Sequence, residues 1–324
     1  MPIALGGPAP VGPALAGLGV LIFSWTIPAS VLALEGIDPY LVGVGRAAVA
    51  AILAALVLAA VRARPPRRGQ WGRLAVISGG VVFGFPVLTT LALDLGATGA
   101  HSAVVVGLLP ATTAVFAVLR AGERPSAAFW AASAAGAAVV TGFTLIRGGG
   151  HVTGADLLLF GALLAAAAGY TEGARMTREM PGWQVISWAT VAGAPISVPV
   201  AAWLLATTSP EWTGRSVFGF GYVSALSAYL GFFAWYEGLA RAGIARGGQL
   251  QLAQPLLTIL WSGIAVGELI DGTTALAAVL VLICVLVTQR ARVQRAWDVP
   301  GRVDAGLAGC DTHSKDGKES VTRW

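Results

Sequence analysis

The chain has 324 residues, of which 56% are hydrophobic and 11% charged, against roughly a quarter charged in an average soluble domain. That composition excludes an ordinary water-soluble fold and points to an all-α integral membrane protein. The net charge of +5 does not form a nucleic-acid footprint, because the basic residues sit in the connections between apolar runs, where they report topology.

Apolar runs of about 18 to 24 residues, enough at about 1.5 Å rise each to cross about 30 Å of hydrocarbon, predict membrane helices over 13–34, 39–61, 74–93, 102–119 and 127–146. A second set follows over 156–174, 183–206, 217–236, 250–267 and 272–289. With the N-terminus cytoplasmic, 18 of the 21 Lys and Arg fall inside, Arg147 and Arg215 fall outside, and Arg46 lies within a span. Both termini are therefore expected in the cytoplasm. The first apolar run lacks a basic flank and is long enough to span, so no cleavable signal peptide is expected. Cys284 in the last helix and Cys310 in the tail predict no structural disulfide. From residue 291 to 324 the sequence turns polar and aperiodic, which predicts a disordered cytoplasmic tail. The chain has no Asn and 19 Arg to 2 Lys, a usage that fits a GC-rich bacterial genome.

Five pairs recur at a constant offset of 145: Trp25 with Tyr170, Thr26 with Thr171, Pro110 with Pro255, Gly122 with Gly267, and Glu123 with Glu268. Each copy holds five spans, an odd number, so the second enters the bilayer from the opposite side. Ten transmembrane helices as two inverted five-helix repeats, 13–146 and 155–290, are a recurrent ground plan of secondary transporters, with substrate held between the halves near mid-depth. The run Ala92-Leu93, Ala97 to Ala103, Pro110 and Gly122-Glu123-Arg124-Pro125-Ser126 resembles the EamA domain of the drug/metabolite transporter superfamily. The second copy matches through Gly238-Leu239, Pro255 and Gly267-Glu268, but has Leu269 and Ile270 where the first has a basic residue. The resemblance implies ten helices, cytoplasmic termini, a cavity walled by the first, third, fourth, sixth, eighth and ninth helices, and export of a small organic metabolite.

Proline inside a span removes a donor and strands the carbonyl four residues earlier, so Pro110 frees Val106 and Pro255 frees Gln251. Pro86, after Gly84-Phe85, falls opposite Gly231 at the repeat offset, and Pro28 falls opposite Gly173. Matched interruptions point to a central site, with Pro28, Pro86, Pro110 and Pro255 as bend points. Trp25 and Tyr170 could put one ring from each half into that site, or pack between helices. Gln251 and Gln254 share a face beside the Pro255 break, as substrate contacts or interhelical bridges; Ser24, Phe85 and Tyr229 are further candidates. Trp71, Trp183, Trp203 and Trp212 lie near span ends as interfacial anchors.

Arg46 lies inside a span, where charge requires a partner or water. Asp94 is its expected partner at an outer gate, with Glu35 and Asp38 as alternatives, and recognition of a substrate carboxylate is the competing role. Glu172 sits near Arg175 and is the acid best placed to titrate with a proton. Glu123 and Glu268 are expected to act on the dipole of the helix that follows each. Asp271 is expected to cap the tenth helix.

No metal or nucleotide motif is present: the three His, at 101, 151 and 313, are scattered, and Lys occurs only at 315 and 318, which excludes Gly-x-x-x-x-Gly-Lys. No cofactor is expected. The implied function is secondary export of an amino-acid-like or amphiphilic compound across a bacterial inner membrane, with a small molecule and the lipid bilayer as partners and no nucleic acid. An uncoupled facilitator and a non-transporting sensor subunit are the alternatives.

Overall fold

The computed structural model describes residues 11–121, 124–147, 151–242, 250–290 and 293–294. Helix dominates them, as hydrocarbon requires of a backbone with no water to bond. The helices are α1 (Val11–Leu34), α2 (Pro39–Ala60), α3 (Arg68–Asp94), α4 in two halves (Gly99–Val106 and Leu109–Ala121), α5 (Ala127–Arg147), α6 (Gly154–Met176), α7 (Gly182–Thr207), α8 (214–242), α9 (Gln254–Val266) and α10 (Gly272–Arg290). Six of these, α1, α2, α3, α6, α7 and the Gly214–Gly238 stretch of α8, are long and apolar enough to cross a membrane, and shorter apolar helices lie in α5, α9 and α10. From the tail, Val293 and Gln294 pair antiparallel with Pro125 and Arg124. The rest of that tail, with Gly122 and Glu123, lies outside the described residues.

Helix starts follow local chemistry. Asp38 accepts from the amides of Tyr40 and Leu41 ahead of Pro39, which satisfies two orphan donors of α2. Thr153 and Asp156 form a reciprocal capping box at α6, Thr213 and Ser216 another at α8, and Asp271 takes the Thr274 amide at α10. Glu268 departs from expectation. Its two oxygens accept from the amides of Gly99 and Ala100 at 2.7 and 2.8 Å, so it caps α4, far away in sequence, rather than the helix that follows it. Gly267 at φ +76° turns the chain there, a left-handed conformation suited to glycine.

The helices pack in pairs: α1 on α8, α3 on α6, α2 on α7 and α5 on α10. The first half of α4 and α1 both meet α9, and the second half of α4 meets α6. Glycine permits the closest approaches. A Cβ on Gly238 of α8 would lie 2.3 Å from the Ala16 amide nitrogen of α1, and one on Gly80 of α3 would lie 2.4 Å from the Ala165 carbonyl of α6. With lipid as apolar as leucine, such backbone proximity supplies the dispersion contact that drives helix association. Large apolar side chains such as Leu56, Leu157, Ile264 and Leu276 point outward, the reverse of a water-soluble surface.

Several helices are broken. In α3 a π-helical turn over Ser78–Gly84 precedes Pro86, and the Phe85 amide reaches back to the Gly80 carbonyl. In α8 a π-helical stretch over Tyr222–Leu230 precedes Gly231, whose amide reaches the Leu226 carbonyl. The α4 helix breaks at Gly107–Leu108, and a 3-10 turn over Gln251–Ala253 leads into α9. The Gln251 carbonyl, which Pro255 strips of its helical donor, accepts instead from the Gln254 amide. α1 bends at Trp25, whereas α6, its counterpart at the repeat offset, runs unbroken.

Candidate functional site

A small cavity lies where these breaks converge. Phe23, Thr26 and Ile27 of α1 face it, with spacing i, i+3 and i+4 that puts them on one side of a helix. Val81 and Phe85 line it from α3, Val106 and Leu109 from α4, Tyr170 from α6, Ser227 and Phe232 from α8, and Gln254 from α9. Arg46 enters from α2, a helix that sequence reasoning did not count among the walls. A smaller cavity adjoins it between the breaks of α4 and α9, lined by Gly107, Gln251, Gln254, Pro255 and Thr258. Ile27, Val106, Leu109 and Gln254 border both.

The polar chemistry is sparse and specific. Arg46 is 3% exposed; its Nη2 donates to Ser227 Oγ at 2.9 Å, and Ser227 Oγ shares a 2.7 Å hydrogen bond with Thr26 Oγ1. Its Nε has no partner, nor do the buried Gln254 Oε1 and Gln251 Nε2. Arg46 is therefore not joined to the acids named from sequence. Asp94 is exposed, Asp38 caps α2, and Glu35 takes a bidentate contact from Arg215 at 2.7 and 2.8 Å. The reason is reach: Arg46 lies one helical turn and more inside the span and projects inward, while those acids sit where helices end.

Several sequence candidates serve α1 rather than the cavity. Trp25 projects away from the Phe23–Thr26–Ile27 face and stacks on Trp261 of α9, centroids 5.3 Å apart and planes 28° from parallel. Ser24 Oγ donates to the Leu21 carbonyl and accepts from Trp261 Nε1 at 3.0 Å. Pro28 strips the Ser24 carbonyl of its helical donor, and Thr258 of α9 supplies a replacement at 3.0 Å. Tyr222 of α8 donates to the Ile22 carbonyl at 3.0 Å. The bend in α1 is thus stitched from two neighbours. Tyr229 is directed at α7, where its hydroxyl meets Ser187 Oγ at 2.8 Å. Pro28 and Pro86 are buried; Pro110 falls within the second half of α4, and its side chain lies outside the described residues.

Each end of the bundle carries ion pairs. At one end Arg73 of α3 contacts both Glu172 of α6 and Glu179, Arg175 lies 3.6 Å from Glu172, and Gln70 donates to Glu179 at 3.0 Å. Hydrogen bonds from Gln70 and Arg73 hold the Glu179 carboxyl below its usual range. Glu172 is thus buried between two guanidinium groups and does not line the cavity. At the other end stand the Glu268 cap on α4, the Arg215–Glu35 pair, and a 2.7 Å contact between His101 Nε2 and the buried Asp156. Composition pointed to the glutamines and to Arg46. It held no signal for Ser227, and for Thr26 it offered only its recurrence at Thr171.

A multi-pass helical bundle that encloses a mostly apolar chamber with a few polar groups is an arrangement that membrane transporters use for small molecules. Residues 153–289 match the model of the EamA-like transporter family. Over 276 residues, 84% of this chain and 95% of the relative, the sequence is 42% identical to "Uncharacterized transporter YdeK" of Bacillus subtilis (strain 168). The fold resembles a solved structure described as "Crystal structure of protein", with a TM-score of 0.59 and 21% identity over 85% of this chain and 95% of that one; at that identity the likeness concerns fold alone. The chain belongs to the EamA-like transporter family.

Proposed function

We propose that the chain is a secondary transporter that exports a small organic metabolite across a bacterial inner membrane by alternating access. In this reading ten helices form two inverted five-helix repeats, 13–146 and 155–290, with both termini cytoplasmic. The observation that carries it is a chamber walled by both halves, in which the breaks of α3 and α8, and of α4 and α9, fall at positions matched by the repeat offset. Helix pairing supports it as well. Exchanging the halves turns the α1–α8 contact into α6–α3 and α1–α9 into α6–α4, and leaves α2–α7, α4–α9 and α5–α10 unchanged. Rocking of one repeat against the other around a fixed mid-depth site is the motion such an arrangement allows. Pro28, Pro86, Pro110 and Pro255 mark the places where helices bend.

The coupling mode follows from the acids. Among the described residues no carboxylate lines the chamber, and Glu172, the candidate for proton coupling, is paired with Arg73 and Arg175 away from it. This favours an uncoupled facilitator over a proton antiporter.

Untargeted comparison of metabolites outside and inside cells with and without the protein tests the function. One or a few compounds are expected to accumulate inside when the protein is missing, and purified protein in liposomes is expected to move them down their gradient at a rate indifferent to an imposed pH difference. If folded, inserted protein moves no metabolite, the transport reading fails in favour of a sensor or interaction subunit.

A further inference from the structure

We infer that the central chamber recognises an organic anion, with Arg46 taking the substrate's carboxylate and the surrounding apolar wall taking its body. The inference rests on the transport reading above and names the substrate class of that same site.

An arginine inside a membrane span is stable when paired, hydrated or facing a pathway, and removing the partner of a buried charge is strongly unfavourable. Arg46 is 3% exposed and meets one neutral hydroxyl, Ser227. Each described acid that could balance it is engaged elsewhere or exposed. Glu35 pairs with Arg215, Asp156 meets His101 and Thr153, Glu172 and Glu179 meet Arg73, Glu237 meets Arg241, and Glu268 caps α4. Asp38 and Asp271 cap their own helices, and Asp94 and Glu211 are exposed. The positive charge at the chamber is therefore uncompensated among the described residues.

Geometry then favours a carboxylate. Guanidinium offers five donors in a planar fork that matches a carboxylate edge to edge. One of them is spent on Ser227, and the Nε donor is buried without a partner. Beyond the guanidinium the wall is apolar, with Phe23, Phe85, Leu109 and Phe232. No described carboxylate is on hand to receive an ammonium group. The structure therefore selects an acid with an apolar body over an amine or a zwitterion. The unpartnered Gln254 Oε1 can accept from a hydroxyl on that body.

The test uses purified full-length protein and matched probes: isovalerate against isovaleramide, isopentylamine and leucine, and phenylacetate against phenylacetamide, phenethylamine and phenylalanine. Binding is measured at pH 7 by ligand-induced thermal shift over a concentration series. The acids are expected to bind at least about ten-fold more tightly than their amides and amines, a difference of about 1.4 kcal/mol, and no more weakly than the amino acids. Arg46→Lys, which keeps the charge and loses the fork, is expected to weaken the acids about ten-fold or more and leave the amides unchanged. Equal binding of acids and amides, tighter binding of amines or amino acids, or an acid preference that survives Arg46→Lys would each overturn the inference. The first comparison needs no variant, so a misfolded Arg46→Lys leaves the question decidable. Flux separates the two claims: an acid preference without protein-dependent movement of any compound keeps the anion site and removes the transport reading, whereas protein-dependent movement of neutral or cationic compounds alone does the reverse.

Discussion

Pro28 takes a hydrogen bond away from α1, and the bundle restores it from the side through Thr258. Interhelical hydrogen bonds in lipid are worth about 0.6 kcal/mol on average and up to about 1.7. Thr258→Val removes the donor at constant shape, and a destabilisation of about 0.5–2 kcal/mol is expected, read as a lower melting temperature in detergent. Thr207→Val is the control, since its hydroxyl bonds to its own helix at an exposed site, and it is expected to leave stability unchanged within about 0.5 kcal/mol. Equal loss in both variants would mean that the α1 bend does not depend on its stitch. Arg46 shows the same economy with the opposite outcome: its Nε remains without a partner in a residue that lines the chamber.

At the scale of elements, glycine decides which helices can touch. Ala16 of α1 lies so close to Gly238 of α8 that a methyl group has no room beside the backbone nitrogen. Overpacking typically costs about 1–3 kcal/mol, so Gly238→Ala is expected to lower the melting temperature and separate the two helices. Gly142→Ala of α5 meets nothing within 4 Å, and a helix-interior alanine there is expected to be neutral or stabilising by about 0.5–1 kcal/mol. Similar melting temperatures for both variants would contradict the close crossing. The helix breaks were legible in the sequence through Pro86, Pro110 and Pro255. Their form was not, because a missing donor can be absorbed as a kink, a π-turn or a 3-10 turn, and the neighbouring helices select among them. The cap on α4 was illegible for a related reason: Glu268 and Gly99 are 169 residues apart, beyond any local rule.

For the molecule as a whole, the proposed inverted arrangement carries a topological consequence. In a background with Cys284 and Cys310 replaced by serine, Arg67→Cys and Arg178→Cys are expected to react with a membrane-impermeant maleimide from the same face, and Thr208→Cys from the opposite one. Labelling of Arg67→Cys and Arg178→Cys from different faces would remove the inverted repeat and with it the alternating-access reading. On the proposed alternating-access reading, ion pairs at both ends, Arg73 with Glu172 and Glu179 on one side and Arg215 with Glu35 on the other, are the contacts expected to break in turn.

Where the helices run was legible from the chain alone, because a backbone in hydrocarbon must close its hydrogen bonds within each span; prolines marked the breaks of α3, α4 and α9, whereas α7 runs unbroken through Pro195 and Pro199. The sequence also flagged Arg46, Gln251, Gln254 and Phe85, since polar or ring-bearing residues beside a break are few in so apolar a chain. The tertiary structure decided which side of each helix met the chamber. A span that is apolar all round carries little amphipathic signal to fix its rotation, and one residue's step turns a side chain by about 100°. Thr26 thus faces the chamber while Trp25 packs on Trp261, Ser227 faces it while Tyr229 turns to α7, and Arg46 meets Ser227 and an open site instead of an acid.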